Sequence, residues 1–232
     1  MIPHWLVILS IASLALSGFC ALVIVLDLLA GNSQHMWIMN IVWPVTALYA
    51  GPIAVWAYFK WGRLSSHHEM MQAKKRGEEM PSKKKPFWEM CSTAATHCGA
   101  GCTLGDIFAE WLLFAFPFVL FGHKLFATWV ADFIAAFLLG IAFQYFTIKP
   151  MRNLSPGKGL ARALQADTLS ITFWQIGMYG WMAITTFVIF GHELEKNTSV
   201  FWFMMQIAMC VGFLTAFPVN AWLLKRGVKE KM

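Results

Sequence analysis

An all-α bundle of transmembrane helices is the fold class this sequence predicts, and three observations predict it. The composition suits a chain solvated by lipid: 58% hydrophobic, 13% charged, with 12 Trp and 20 Phe in 232 residues and a mean hydropathy of +0.57. Apolar runs long enough to cross a hydrocarbon core of about 30 Å can be drawn at residues 5–29, 37–59, 94–121, 125–148, 168–190 and 200–224, six helices in all. The basic residues sort by loop. Sixteen of the eighteen Lys and Arg fall at positions 60–85, 149–162 or 225–231, leaving only Lys124 and Lys196 for the alternate loops. With six crossings, the positive-inside rule puts both termini in the cytoplasm. The net charge of +6 is then a signal of topology, and nucleic acid is not expected as a partner.

The first run starts without a basic segment ahead of it and exceeds a signal-peptide core, so a retained helix is expected. Asp27 sits near its far end, where a carboxylate reaches the interface. The second run carries Pro44 and Pro52, which predict kinks, and closes on Trp56, Tyr58 and Trp61, an interfacial aromatic belt. Residues 60–90 read as a basic cytoplasmic linker between an N-terminal two-helix hairpin (1–59) and a four-helix membrane domain (91–232). In the linker, His67 and His68 beside Glu69 read as part of a solvated charge run, and Lys83 to Lys85 as a headgroup contact.

The third run holds the chemistry. Its opening, HCGAGCTLGDIFAE at 97–110, places Cys98, Cys102, Asp106 and Glu110 at successive i, i+4 positions, one helical stripe at about 100° per residue. His97 points about 100° away from Cys98. Gly101, Gly105 and Ala109 form an adjacent small-residue stripe that admits a close neighbouring helix. A carboxylate near the bilayer centre costs about 2.5–3.5 kcal/mol on insertion scales. Two in one helix therefore call for a cavity, a cation or a proton. A single buried Cys is ordinarily a small hydrophobe; thiols, imidazole and carboxylates within a few turns point to a site.

The fourth run adds Asp132 and Gln144. The fifth opens on Asp167-Thr168-Leu169-Ser170, an N-cap pattern, and carries Gln175 and Tyr179 as well as Met178 and Met182 at i, i+4. The sixth repeats the methionine spacing with Met205 and Met209, then Cys210, Pro218 and Asn220. Phe121-Gly122-His123-Lys124 and Phe190-Gly191-His192-Glu193 match each other, as do Pro52/Trp56 and Pro218/Trp222, which suggests three repeated helical hairpins. On that reading His35, His123 and His192 occupy outer loops and form an outer mouth. Five cysteines, an odd number with three between 91 and 102, read as reduced thiols instead of a disulfide framework. Motifs for phosphate-binding loops, c-type haem attachment and serine hydrolysis are absent from the sequence.

HCGAGCTLGD, the stretch DTLSITFWQIGMYGWMA at 167–183 and the C-terminal FPVNAWLLKRGVKEKM resemble a family of bacterial membrane proteins catalogued as domain of unknown function 4396, over about residues 91–232. The resemblance implies a bacterial polytopic membrane protein, with His97, Cys98, Cys102 and Asp106 in the family signature, and no activity. The methionine pairs are similar to the Met-x-x-x-Met element of copper importers of the Ctr type.

Two functional classes follow. One is binding and transport of a soft metal ion, copper preferred, because thiolates and thioethers select soft ions. Its metal site is His97, Cys98, Cys102 and Asp106, and its ion path Glu110, Met178, Met182, Met205, Met209, Asp132 and Gln175. The other is a membrane thiol or quinone oxidoreductase using Cys98 and Cys102, whose Cα atoms on a helix stand about 6 Å apart. An assembly factor of a membrane complex is a third reading. The bacterial inner membrane is the expected location, with the lipid bilayer as partner and a homo-oligomer compatible with the glycine faces.

Overall fold

The computed structural model describes residues 2–79, 85–120, 122, 124–152 and 155–229, with 149–152 described as backbone only. These residues are helical almost throughout, and no strand is present among them. The helices are α1 (His4–Asp27), α2 (Met39–Ala50), α3 (Pro52–Ala57), α4 (His67–Arg76), α5 (Phe87–Ala115), α6 (Lys124–Arg152), α7 (Pro156–Ile184) and α8 (Ser199–Lys225). α5 packs along α6 and α7 along α8; α6 joins the pairs through α7, and α1 and α2 lie against α5 and α8.

Among the described residues, four helical stretches are long and apolar enough to cross a membrane: His4–Asn32, Phe87–Ala115, Lys124–Ile148 and Ser199–Lys225. The expected count of six is not met, for two physical reasons. α7 has the length, 29 residues, but its first half carries Lys158, Arg162 and Asp167. It also begins well before the expected position 168. The other reason is that the second expected span is broken.

The break is at Gly51, whose φ of 52° and ψ of −126° are open to glycine and strained for side-chain-bearing residues. Pro52 follows and starts α3. α2 therefore stops after 12 residues, about 18 Å, roughly half the bilayer core. The chain then returns to where it began: His35 N–H donates to Ser65 O (2.9 Å), His67 N–H to Ser33 O (2.8 Å), and Gln34 bridges Ser66. Residues 36–64 are thus a hairpin whose two ends meet. Irregular backbone at membrane depth must be covered by protein, and here Gln206 Nε2 donates to Leu48 O (2.7 Å) while the Cys210 thiol donates to Tyr49 O (3.7 Å).

This fold-back changes the ends. Ser10 Oγ lies 2.7 Å from Ser199 Oγ and Ser13 donates to Gln206 (2.8 Å), so α1 and α8 start together and run parallel. Asp27, at the end of α1, pairs with Arg63 (3.4 Å) and accepts from Tyr58 (2.7 Å). The start of α1 stands at one end of the bundle, beside Ser199, and Lys229, beyond α8, at the other. The charge sorting survives. The described basic residues of 60–85, 158–162 and 225–229 lie at one end, with Lys124 and Lys196 at the other.

The "linker" contains α4, capped by Ser66, whose Oγ accepts from Glu69 N–H. Lys85 is buried and donates to Ser65 Oγ (2.7 Å), so it does not serve the headgroup contact expected of it; Lys83 and Lys84 lie outside the described residues. The repeat holds locally at the turns, where Gly122 (φ 80°) and Gly191 (φ 71°) share a left-handed conformation. It fails at the prolines: Pro52 begins a helix after a break, while Pro218 sits inside continuous α8.

The small-residue stripe of α5 is consumed within the chain. A Cβ on Gly101 would stand 2.7 Å from Gly140 Cα, and one on Gly105 would collide with the backbone at Ala136. Gly105→Leu is therefore expected to destabilise the fold by about 1–3 kcal/mol or more, whereas Gly180→Ala, at an exposed position with open space, should be neutral or slightly stabilising. Thermal unfolding in detergent compares the two.

Candidate functional site

α5 begins at Phe87, with Pro86 in extended conformation at its N-cap, and runs unbroken to Ala115. At a period of four its residues Ala94, Cys98, Cys102, Asp106 and Glu110 face the interior, each at most 3% exposed. Toward the end away from the basic loops, Gln175 of α7 donates to Asp106 Oδ1 (3.0 Å), and Asp106 Oδ2 has no hydrogen-bond partner. Glu110 pairs with Lys196 (2.5 Å), which also donates to Thr128 Oγ1 (3.0 Å). Asp132 of α6 is 1% exposed with Oδ1 unpartnered, and it lines the same chamber as Glu110. Three buried carboxylates therefore share one nearby ammonium.

These groups line a narrow chamber of about 30 Å³, room for a water or a bare ion, bounded by Glu110, Asp132, Lys196, Met178, Met182 and Met205, among others. A wider recess of about 490 Å³ shares Thr128, Glu193 and Lys196 with it, so Lys196 stands where the recess narrows to the chamber. Six residues expected on an ion path thus meet here or one step deeper: Glu110, Asp132, Met178, Met182 and Met205 at the chamber, and Gln175 on Asp106. Met209 lies farther in, its sulfur accepting from Thr103 Oγ1 (3.6 Å).

Cys98 and Cys102 are fully buried and share one buried cluster with Met178, Met182, Met205 and Met209. His97 does not join them. Its Nε2 lies 3.0 Å from Thr147 Oγ1 on α6, its ring meets Phe143 edge-on, and its Nδ1 is buried without a partner. The expected ligand set of His97, Cys98, Cys102 and Asp106 is not gathered into one cage. Among the described residues no group of three His, Cys, Asp or Glu is close enough to hold a metal. The outer mouth is not formed by His35 and His192: His35 stacks on His67 (ring centroids 5.3 Å apart) at the basic end, while His192 lies at the opposite end with Nδ1 2.9 Å from Phe190 O. His123 lies outside the described residues.

Three participants escaped sequence reasoning. Lys196 carried a signal, being one of two basic residues outside the basic loops. Tyr49, at the hairpin tip, packs edge-on against Trp174 (5.8 Å) with its hydroxyl buried and unpartnered; only the Gly51-Pro52 pair hinted at that tip. Lys229 is buried among α5, α7 and α8 through bonds to Ala94 O, Asp167 and Asn220, and its signal was Gly227, a residue suited to turning the chain after a helix.

Residues 87–229 match a known protein family, whose description is Domain of unknown function (DUF4396). No curated protein matches the chain, and no solved structure matches it.

The Glu110–Lys196 pair makes a direct test. Lys196→Ala leaves a buried carboxylate unpaired and is expected to destabilise the fold by about 2–3 kcal/mol, below the full cost for an enclosed pair because the ammonium is partly exposed. The double variant Glu110→Gln/Lys196→Met should recover most of that loss in unfolding measurements in detergent.

Proposed function

We propose, from the premise that the chain belongs to the DUF4396 family, that this membrane protein transports a soft metal ion along the buried stripe of α5. The observation that carries the reading is the juxtaposition on one helix face of a carboxylate chamber and a thiol pair, with five thioethers in the same buried cluster. Carboxylates with too few cationic partners attract a cation into the low-dielectric interior. Thiols and thioethers then favour a soft one, Cu(I) before Hg(II), Zn(II) or Cd(II). Cu(I) is satisfied by two sulfur ligands, so the Cys98–Cys102 pair suffices without His97.

The orientation we propose follows from the fold-back. With the basic end in the cytoplasm, α1, α5, α6, α7 and α8 each cross the bilayer and the hairpin does not. The N-terminus is then outside and the C-terminus inside, in the cytoplasmic membrane of a bacterium. The acidic chamber opens outward and the thiols lie deeper, an order suited to uptake.

A second reading rests on the two thiols standing one helical turn apart, with Cα atoms about 6 Å from each other: a membrane dithiol that cycles to a disulfide, passing two electrons and two protons to a quinone or to the disulfide of a partner protein. Elemental analysis of gently purified, reduced protein separates the two. Near-stoichiometric copper in the wild type and in His97→Ala, lost in Cys98→Ser and Cys102→Ser, is the expected result. Protein that neither retains metal nor takes it up on titration, yet loses two hydrogens on oxidation whether or not a chelator is present, would establish the redox reading instead.

A further inference from the structure

At the end of the α5 stripe away from the chamber, α8 stops at Lys225 and Gly227 (φ 68°) turns the chain. Val228 N–H donates to Leu223 O (3.0 Å) and Gly227 N–H to Leu224 O (3.2 Å), a helix-ending pattern that reverses the backbone and sends Lys229 back into the bundle. Its ammonium meets three oxygens from three helices: Asp167 Oδ1 of α7 (2.6 Å), Asn220 Oδ1 of α8 (2.7 Å) and Ala94 O of α5 (3.3 Å). Asn220 is held in place by its own amide, which donates to Ser170 Oγ (2.7 Å) and Ala216 O (2.9 Å). Asp167, Asn220 and Ser170 are fully buried and Lys229 is 2% exposed. Asp167 Oδ2 is also buried and has no hydrogen-bond partner.

One carboxylate with a spare oxygen, one side-chain carbonyl and one backbone carbonyl, converging from three helices, is a donor set for a hard monovalent cation. Carboxylate and carbonyl oxygens are hard donors that suit hard cations, and backbone carbonyls coordinate Na⁺ in transporters. A lysine ammonium has the same charge and satisfies the same oxygens, but it hangs on a segment joined to α8 by a single turn. We propose that Asp167, Asn220 and the Ala94 carbonyl form an alkali-cation site that Lys229 occupies as a tethered cation, and that Na⁺ or K⁺ takes its place when the C-terminal segment withdraws. Ala94 lies one turn before Cys98, so withdrawal also uncovers the basic end of the α5 stripe. The proposal concerns oxygen donors alone and does not rest on the soft-metal reading.

Thermal unfolding of the full chain in detergent tests it. The wild type, Lys229→Ala and Asp167→Asn/Lys229→Ala are compared in NaCl, KCl and N-methylglucamine chloride at equal ionic strength. Stabilisation by a bound ion grows with its concentration relative to Kd. Lys229→Ala should therefore gain a saturable rise in Tm in Na⁺ or K⁺ over N-methylglucamine, while the wild type and the double variant gain none. Equal Tm values for Lys229→Ala in all three salts would overturn the site, as would a wild type that responds as strongly as the variant. Should Lys229→Ala fold only in Na⁺ or K⁺, the site is supported. Should it fail in all three while the double variant folds, the carboxylate has no affinity for either ion and the proposal is wrong.

Discussion

Two ion pairs on buried carboxylates hold the design in place, the partly exposed Lys196 on Glu110 and the enclosed Lys229 on Asp167. They stand at opposite ends of one helix face, from Glu110 of α5 to the Asp167 that shares Lys229 with Ala94 of α5. Sixteen residues separate Ala94 from Glu110, a rise of about 24 Å, most of the thickness of a bilayer core. Neither lysine comes from α5. Each is delivered by chain that follows a helix, Lys196 after α7 and Lys229 after α8, so the helix carrying the polar groups is balanced by its neighbours. Between the lysines the stripe holds Asp106 and two thiols, with only Gln175 donating to Asp106.

A polar stripe of that kind needs walls without voids, and Trp174 supplies much of one. It is fully buried and occupies the space left by Gly99 on α5 and Gly212 on α8, with Tyr49 of the hairpin tip against its ring. The hairpin accordingly has a structural logic: it brings irregular backbone to membrane depth only where α8 donates to its carbonyls and α7 covers its tip. The same contacts set Tyr49 in the buried cluster that holds Cys98 and Cys102.

What the sequence made legible was whatever depends on the geometry of one helix. The i, i+4 stripe of Cys98, Cys102, Asp106 and Glu110, the glycines facing α6 and the methionines at the chamber follow from helical period, and α5, α7 and α8 are regular there. The divergence of His97 from the thiols was equally readable from its rotation of about 100°. The hairpin was not. An apolar run of twenty-odd residues looks the same whether it crosses the bilayer or turns back, and the deciding feature is one backbone conformation at Gly51. The position of His35 at the basic end, away from His192, descends from that one break. Lys196 and Lys229 were hidden for another reason: their partners are more than 60 residues away in sequence, and such pairings are made only by tertiary packing.

The central claim is that the carboxylates of the α5 stripe conduct an ion to the thiols. Reconstituting the reduced protein in liposomes and comparing Cu(I) influx through the wild type and Asp106→Asn tests it most directly, with metal retained by the detergent-solubilised proteins measured alongside. The account predicts that the variant still holds copper on its thiols but carries it at least about tenfold more slowly, about 1.4 kcal/mol in barrier height. Influx unchanged by the substitution, with copper bound equally by both proteins, would contradict it.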